Sequence, residues 1–232
     1  MYENNTYSYQ NDQMTFNQFL TKSFGVMFTG ILLTAITALF GLPILLSFIQ
    51  SFIGVFLIYG INIGIAFYFS SRLMTMSKTT AYLCFYLYCF VTGLTFSTLP
   101  LYYDGGTLAV ALFMTAGMFA CMAIIGHTSK VDFTKFTPYL FVGLIACIGM
   151  TFINAIFLHS SGVELMLDYA VIIIFLIMIA YDMQTLRHIH ESAYYDNEVQ
   201  NKLAIYGAFS LYLDFINIFI RVLSILGRSN DN

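Results

Sequence analysis

The sequence predicts an all-α polytopic membrane protein with seven transmembrane helices. Three observations carry that reading. The 232-residue chain is 59% hydrophobic and only 9% charged, whereas about a quarter of the residues of a soluble domain carry charge. Its mean hydropathy is +0.79. Its charges fall in bands, separated by uncharged runs long enough to cross a hydrocarbon core of roughly 30 Å. A chain this apolar cannot hide its surface in one globular core, so lipid must be its solvent.

The elements follow in order. Residues 1–20 form a polar N-terminal tail rich in Tyr, Asn and Gln, with Glu3 and Asp12 and no basic residue before Lys22. A cleavable signal peptide needs a basic start and a short apolar core, so this segment is not one. The membrane domain runs over 21–228, and 229–232 is a short C-terminal tail. No charge occurs between Lys22 and Arg72, which leaves room for two spans of about 20 residues each. Gly41, Pro43 and the Gln50-Ser51 pair mark the turn region between them. The uncharged runs Lys78 to Asp104 and Asp104 to Lys130 each predict one span, and Phe136 to Val163 predicts a fifth. Tyr169 to Leu186 and Leu203 to Ile220 predict the last two. Asp182 interrupts the first of these and Asp214 the second; the other charges are read as lying in or near connections.

Seven of the nine basic residues then share one side: Lys22, Arg72, Lys78, Lys130, Lys135, Arg187 and Lys202. Only Arg221 and Arg228, near the C-terminus, fall on the other. The positive-inside rule puts the N-terminus in the cytoplasm and the C-terminus outside. A six-span topology with a re-entrant last segment is the alternative. Gly60-x-x-x-Gly64 and Gly93-x-x-x-Ser97 predict close helix contacts, because small residues four apart let backbones approach. Cys84, Cys89, Cys121 and Cys147 lie singly in apolar runs and read as buried small apolar residues, with neither a disulfide framework nor a zinc site.

Chemistry concentrates in Asp182 and Asp214. An ionisable group inside a span costs at least a few kcal/mol at the bilayer centre, and persists where it faces a partner or a polar cavity. The two helices are antiparallel neighbours, so the carboxylates can meet at similar depth. Two close carboxylates in a low-dielectric site cannot both ionise cheaply and would share a proton. Ionised, they form a hard oxygen site suited to Ca²⁺ held transiently. Arg72 is the candidate counter-charge, since a guanidinium can hold a carboxylate bidentately and protonation would release it. The competing readings are a static hydrogen-bonded pair for the two acids and a headgroup anchor for Arg72. Asn217, three residues after Asp214, can share its face; Tyr181, Gln184 and Tyr212 are further polar candidates. Asn62 and Asn154 lie mid-span as interhelical hydrogen-bonding groups. His188, His190 and Glu191 read as a solvated face rather than a metal site, and His127 and His159 need no role. There is no Gly-rich phosphate loop, no H-E-x-x-H and no G-x-S-x-G, and every Lys lies at a connection. The sequence therefore predicts no enzyme, no cofactor and no nucleic-acid partner.

The segments Ile179-Ala180-Tyr181-Asp182-Met183-Gln184-Thr185-Leu186 and Ser210-Leu211-Tyr212-Leu213-Asp214-Phe215-Ile216-Asn217-Ile218-Phe219 resemble the two hallmark helices of the Bax inhibitor-1 family. The run Thr128 to Thr134, with Asp132-Phe133-Thr134 at its end, is similar to that family's D-F-[ST] connection. A fourth stretch runs from Arg72 through Ala81 to Gly93 and Ser97. The resemblance covers roughly residues 15–228. It implies a seven-helix fold with the last helix central, and a pH-sensitive Ca²⁺ leak whose two-aspartate sensor falls on Asp182 and Asp214 and whose latch falls on Arg72. The connection between the hallmark helices is longer than in the shortest bacterial members, with an acidic run through Glu191, Asp196 and Glu198. The chain has no Lys-rich C-terminal tail, which favours a bacterial inner-membrane member.

The expected function is therefore a proton-gated cation leak in a lipid bilayer, with Ca²⁺ and protons as its ligands. The alternative is a membrane-embedded regulator that binds a membrane protease or a cell-death protein, with the N-terminal tail as the candidate contact. An intramembrane aspartyl protease would need G-x-G-D on the second helix, where the chain reads Tyr212-Leu213-Asp214.

Overall fold

The computed structural model describes residues 14–48, 52–192 and 197–230. Residues 1–13 of the tail, the Gln50-Ser51 turn, Asp196 of the acidic run and residues 231–232 lie outside the described residues. In lipid every backbone polar group must be paired within the segment, so uncharged apolar runs have little choice but to be helical. The described regular structure is accordingly all helix. In chain order it comprises α1 (Phe16–Phe40), α2 (Leu42–Phe48), α3 (Phe52–Arg72), α4 (Lys78–Phe96), the single turn α5 (Leu99–Tyr102) and α6 (Gly105–Thr128). A 3₁₀ turn (Phe133–Phe136), α7 (Thr137–Ile153), a π-helical turn (Asn154–Leu158), α8 (Ser161–Ser192) and α9 (Asn197–Asn230) complete it.

Local signals set the ends. Thr15 caps α1 in a reciprocal box: the Gln18 amide N–H donates to the Thr15 hydroxyl, and the Thr15 N–H donates to the Gln18 side chain at 2.8 Å. Two orphan donors are thereby satisfied at once. The helix thus takes in the last residues of the segment read as polar tail. Asp104 caps α6, accepting from the Gly106 and Thr107 amides. A further bond from the Thr107 hydroxyl holds its carboxyl below the ordinary range.

Six segments are long and apolar enough to cross a membrane: Phe16–Phe40, Lys78–Tyr102, Gly105–Thr128, Phe133–Leu158, Ser161–Ser192 and Glu198–Ser229. The chain is a membrane protein of at least this many candidate spans among the described residues. α3 is a further apolar helix of 21 residues, charged only at its last residue, Arg72. The last two spans are longer than the sequence reading: α8 begins at Ser161, not Tyr169, and α9 runs on to Asn230. Asp168 therefore lies inside a helix rather than in a connection, and so do Arg221 and Arg228.

The described chain forms two compact units. One comprises the residues up to Thr95 with Leu186–Phe209. In it α1 and α4 approach closely: a Cβ on Gly30 would stand 2.5 Å from the Phe85 ring, and one on Gly93 2.7 Å from the Thr34 carbonyl oxygen. Thr34 donates to the Cys89 carbonyl at 3.0 Å across the same contact. Asn62 reaches from α3 to the Thr92 hydroxyl on α4 at 3.0 Å, the interhelical role its position predicts. Gly60 and Gly64 contradict their reading: both are exposed, and a Cβ on either would meet nothing within 4 Å. His190 is also misread as solvated. It is buried between the Phe16 and Phe19 rings, with its Nε2 2.8 Å from the Met14 carbonyl, whereas His188 and Glu191 are exposed. Of the cysteines, Cys89 and Cys147 are buried, Cys84 half-buried and Cys121 exposed.

The second unit comprises Phe96–Thr185 and the residues from Ser210 onward. Here α6 packs on α8 through Gly126, whose added Cβ would lie 2.6 Å from the Ala180 backbone. Rings tie α6 to α9, Phe119 to Phe215 at 5.8 Å between centroids. Asn154 is not an interhelical group. It opens the π turn and closes the way into α8, with its amide bonded to the Ser160 backbone at both N and O. His159 takes the left-handed conformation that ends that turn.

Candidate functional site

Asp182 and Asp214 lie in the second unit, on the C-terminal part of α8 and the middle of α9. Both are buried, at 6% and 2% exposed. Their carboxyl groups are within hydrogen-bonding reach of each other. A carboxylate has no donor, so the two acids can hydrogen-bond only when one of them keeps a proton. The Ser210 hydroxyl, one turn before Asp214, donates to Asp182 Oδ2. One oxygen, Asp214 Oδ2, is buried without a hydrogen-bond partner. Buried polar atoms are almost always satisfied, so an orphaned carboxyl oxygen marks a place where a proton or a cation can be taken up.

The other expected residues are placed as follows. Tyr181 is half-buried on α8 beside Asp182. The Asn217 amide donates to the Leu213 carbonyl one turn back at 2.8 Å, and forms no hydrogen bond with Asp214 among the described residues. Tyr212 is fully buried. Arg72 belongs to the first unit. It is exposed at the C-terminal end of α3 and takes part in none of the ion pairs found among the described residues.

Gln184 has a definite task. Its Nε2 donates to the Val131 carbonyl at 2.6 Å and its Oε1 accepts from the Phe133 N–H at 2.9 Å. The side chain thereby clamps the Asp132-Phe133-Thr134 connection onto α8, two residues after Asp182. Asp132 organises the connection itself, accepting from Thr134 N and Oγ1 to cap the 3₁₀ turn. The Thr134 hydroxyl is also the main reason its carboxyl sits below the ordinary range. Two of the stretches that carried the resemblance therefore meet in space.

A family model described as inhibitor of apoptosis-promoting Bax1 matches residues 16–231. The chain belongs to the Bax inhibitor-1 family. An uncharacterized protein of Borreliella burgdorferi is 34% identical over 222 residues, covering 93% of this chain and 94% of its own. An uncharacterized protein of Rickettsia prowazekii is 32% identical over 92% of this chain and 91% of its own. The inner membrane protein YbhL of Escherichia coli is 30% identical over 90% of this chain and 91% of its own. Family and membrane character thus agree with the apolar helices.

Two features of the site escaped the sequence reading. Ser210 belongs to a hallmark segment, but the sequence does not mark it as a donor. Asp168, on α8, is 2% exposed and is held by Arg221 and Arg228 of α9. The signal was periodic. Asp168 precedes Asp182 by fourteen residues, and Arg221 and Arg228 follow Asp214 by seven and fourteen, so each set returns to nearly the same helix face.

Proposed function

We propose that the chain is a passive cation leak of a bacterial inner membrane, with Ca²⁺ as cargo, gated by protons at the Asp182–Asp214 pair. The observation that carries this reading is the contact between the two buried carboxyl groups with one oxygen left unpartnered. With one shared proton the pair carries a single negative charge. Losing the proton adds a second charge and bares two hard oxygen groups of the kind that bind Ca²⁺. Gaining another proton discharges the site. The same atoms thus serve as sensor and as cation stop, and Ser210 orients Asp182 between these states. The latch role of Arg72 rests on the family resemblance.

In this reading the chain is a channel and not an enzyme. α3 supplies a seventh span, since 21 residues at about 1.5 Å each match the hydrocarbon core. α9 takes the central place, supported by the largest buried share of any candidate span. The charge bias argues for a cytoplasmic N-terminus and an external C-terminus.

The test is Ca²⁺ flux into liposomes carrying the purified protein across about pH 5 to 8, the window in which a proton switch is physiologically useful. Asp182→Asn and Asp214→Asn are measured alongside. Wild-type flux should depend on pH, and both variants should lose that dependence. Flux with unchanged pH dependence in both variants rejects the sensor. Absence of flux at every pH rejects the leak and turns attention to a membrane protease or another partner protein.

A further inference from the structure

The second polar cluster of α8 and α9 lies fourteen residues along α8, and seven to fourteen along α9, from the acid pair, which is up to about 21 Å by helical rise. Asp168 is at its centre. Its Oδ1 accepts from Arg221 at 3.0 Å. Its Oδ2 accepts from Arg228 and from the Ser224 hydroxyl, the latter at 2.9 Å. Arg228 also reaches Glu164 at 3.5 Å and the Ser161 carbonyl at 3.4 Å. These groups border a cavity of about 270 Å³, walled on its other side by Thr151 and Asn154. Asp168 is buried while the two arginine side chains are about a third exposed, and all three line the cavity.

Along α9, Ser210, Asp214, Asn217, Arg221, Ser224 and Arg228 recur at three- and four-residue steps, which puts them on one stripe. A polar stripe thus joins the acid pair to the cavity. Two guanidinium groups at the end of a cation path repel the cargo, and they can stay there only while a buried acid holds them. We infer that Asp168, Arg221 and Arg228 form a second ionic lock, which closes the path at the cavity end. The inference rests on the leak reading above. A purely structural clamp would not need three charges, because well-packed apolar side chains replace buried ion pairs at little or no cost. When the lock is closed, Asp168 is saturated by three donors and unavailable to a cation. When the arginines swing into the cavity, Asp168 becomes the next acidic stop after Asp182 and Asp214.

The experiment compares Ca²⁺ leak at one fixed pH for wild type, Asp168→Asn, Asp168→Glu and Arg221→Gln in liposomes. Arg221→Gln removes one partly exposed arm and so spares the fold if the core substitution does not. Asp168→Asn and Arg221→Gln should raise the leak up to about fivefold, the range open to a partly exposed ion pair, and Asp168→Glu should stay near wild type. A second readout needs no flux. Asn217→Cys, on the stripe between the clusters, is labelled with a membrane-impermeant thiol reagent, and the labelling of the chain without it is subtracted. Its rate should rise by a similar factor when Arg221→Gln is added. A wild type that leaks while the neutralised variants leak no more overturns the lock and leaves the leak reading standing. If no protein carries flux, the leak reading falls and the labelling rate decides: unchanged labelling overturns the lock, faster labelling keeps it as a closure of the stripe.

Discussion

Gly126→Ala tests a close backbone contact between α6 and α8 in the second unit. An added Cβ would stand 2.6 Å from both the Ala180 Cα and its carbonyl oxygen. These are backbone atoms and cannot rotate away. To reach ordinary contact at 3.4 Å, α6 and α8 must part by about 0.8 Å in an interior too dense to absorb the change locally. Overpacking of this kind costs about 1–3 kcal/mol, and the better helix propensity of Ala returns up to about 1 kcal/mol. The net loss is about 1 kcal/mol, which for a chain of this size lowers the apparent Tm by about 2–4 °C. Thermal unfolding in detergent at a fixed scan rate measures it, since membrane proteins unfold irreversibly and only matched scans compare. Gly64→Ala is the control, because its Cβ meets nothing within 4 Å and only the propensity gain remains. Ala180 is two residues from Asp182, so the same displacement should also alter the leak. A Gly126→Ala protein as stable as the Gly64→Ala control would show that the helices have slack there and would refute the reasoning.

Further outcomes follow from other contacts. Gln184→Leu removes both hydrogen bonds that hold the Asp132-Phe133-Thr134 connection and should cost about 1–3 kcal/mol, with faster amide hydrogen exchange over residues 129–136; unchanged exchange there would show that the clamp is not needed. Asp104 has its carboxyl lowered by the Thr107 hydroxyl, so its contribution is full above the unfolded value near pH 4 and lost as pH falls through the lower folded value. Asp104→Asn should therefore show its Tm deficit at neutral pH and approach wild type as the pH is taken well below the unfolded value; a deficit that persists in acid contradicts this. Gly93→Ala, facing Thr34 and Thr37 at 2.6–2.7 Å, should lower the apparent Tm, and equality with Gly64→Ala would show that α1 and α4 yield.

The membrane class and the paired acids were legible because both follow from charge alone. An uncharged run must be buried or in lipid, and Asp182 and Asp214 stand out against such runs. Asp168 did not stand out, because it lies only four residues from Glu164 and so looked like part of a charged connection. What it lacked was a partner, and its partners are more than fifty residues away on α9. Small-residue spacing failed for a related reason. Gly60 and Gly64 share the pattern of Gly93 and Ser97, but an added Cβ meets a neighbouring helix only at Gly93, and the pattern does not encode which face is turned inward. Asn154 bonds the Ser160 backbone six residues on, in a local turn that an apolar run does not announce, whereas His190 depends on a distant partner, the Met14 carbonyl.

The pairing of α8 with α9 makes length itself a constrained quantity. Asp182 meets Asp214 and Asp168 meets Arg228 in a single unbroken antiparallel register. One residue inserted between positions 168 and 182 would turn every residue before it by about 100° and shift it by 1.5 Å, withdrawing Asp168 from both arginines while leaving the acid pair intact. An insertion of seven would nearly restore the face but lengthen the segment by about 10 Å, a third of the hydrocarbon thickness. Lineages of this chain should therefore vary freely in side chains along α8 and α9 and hardly at all in the number of residues that separates the two polar levels.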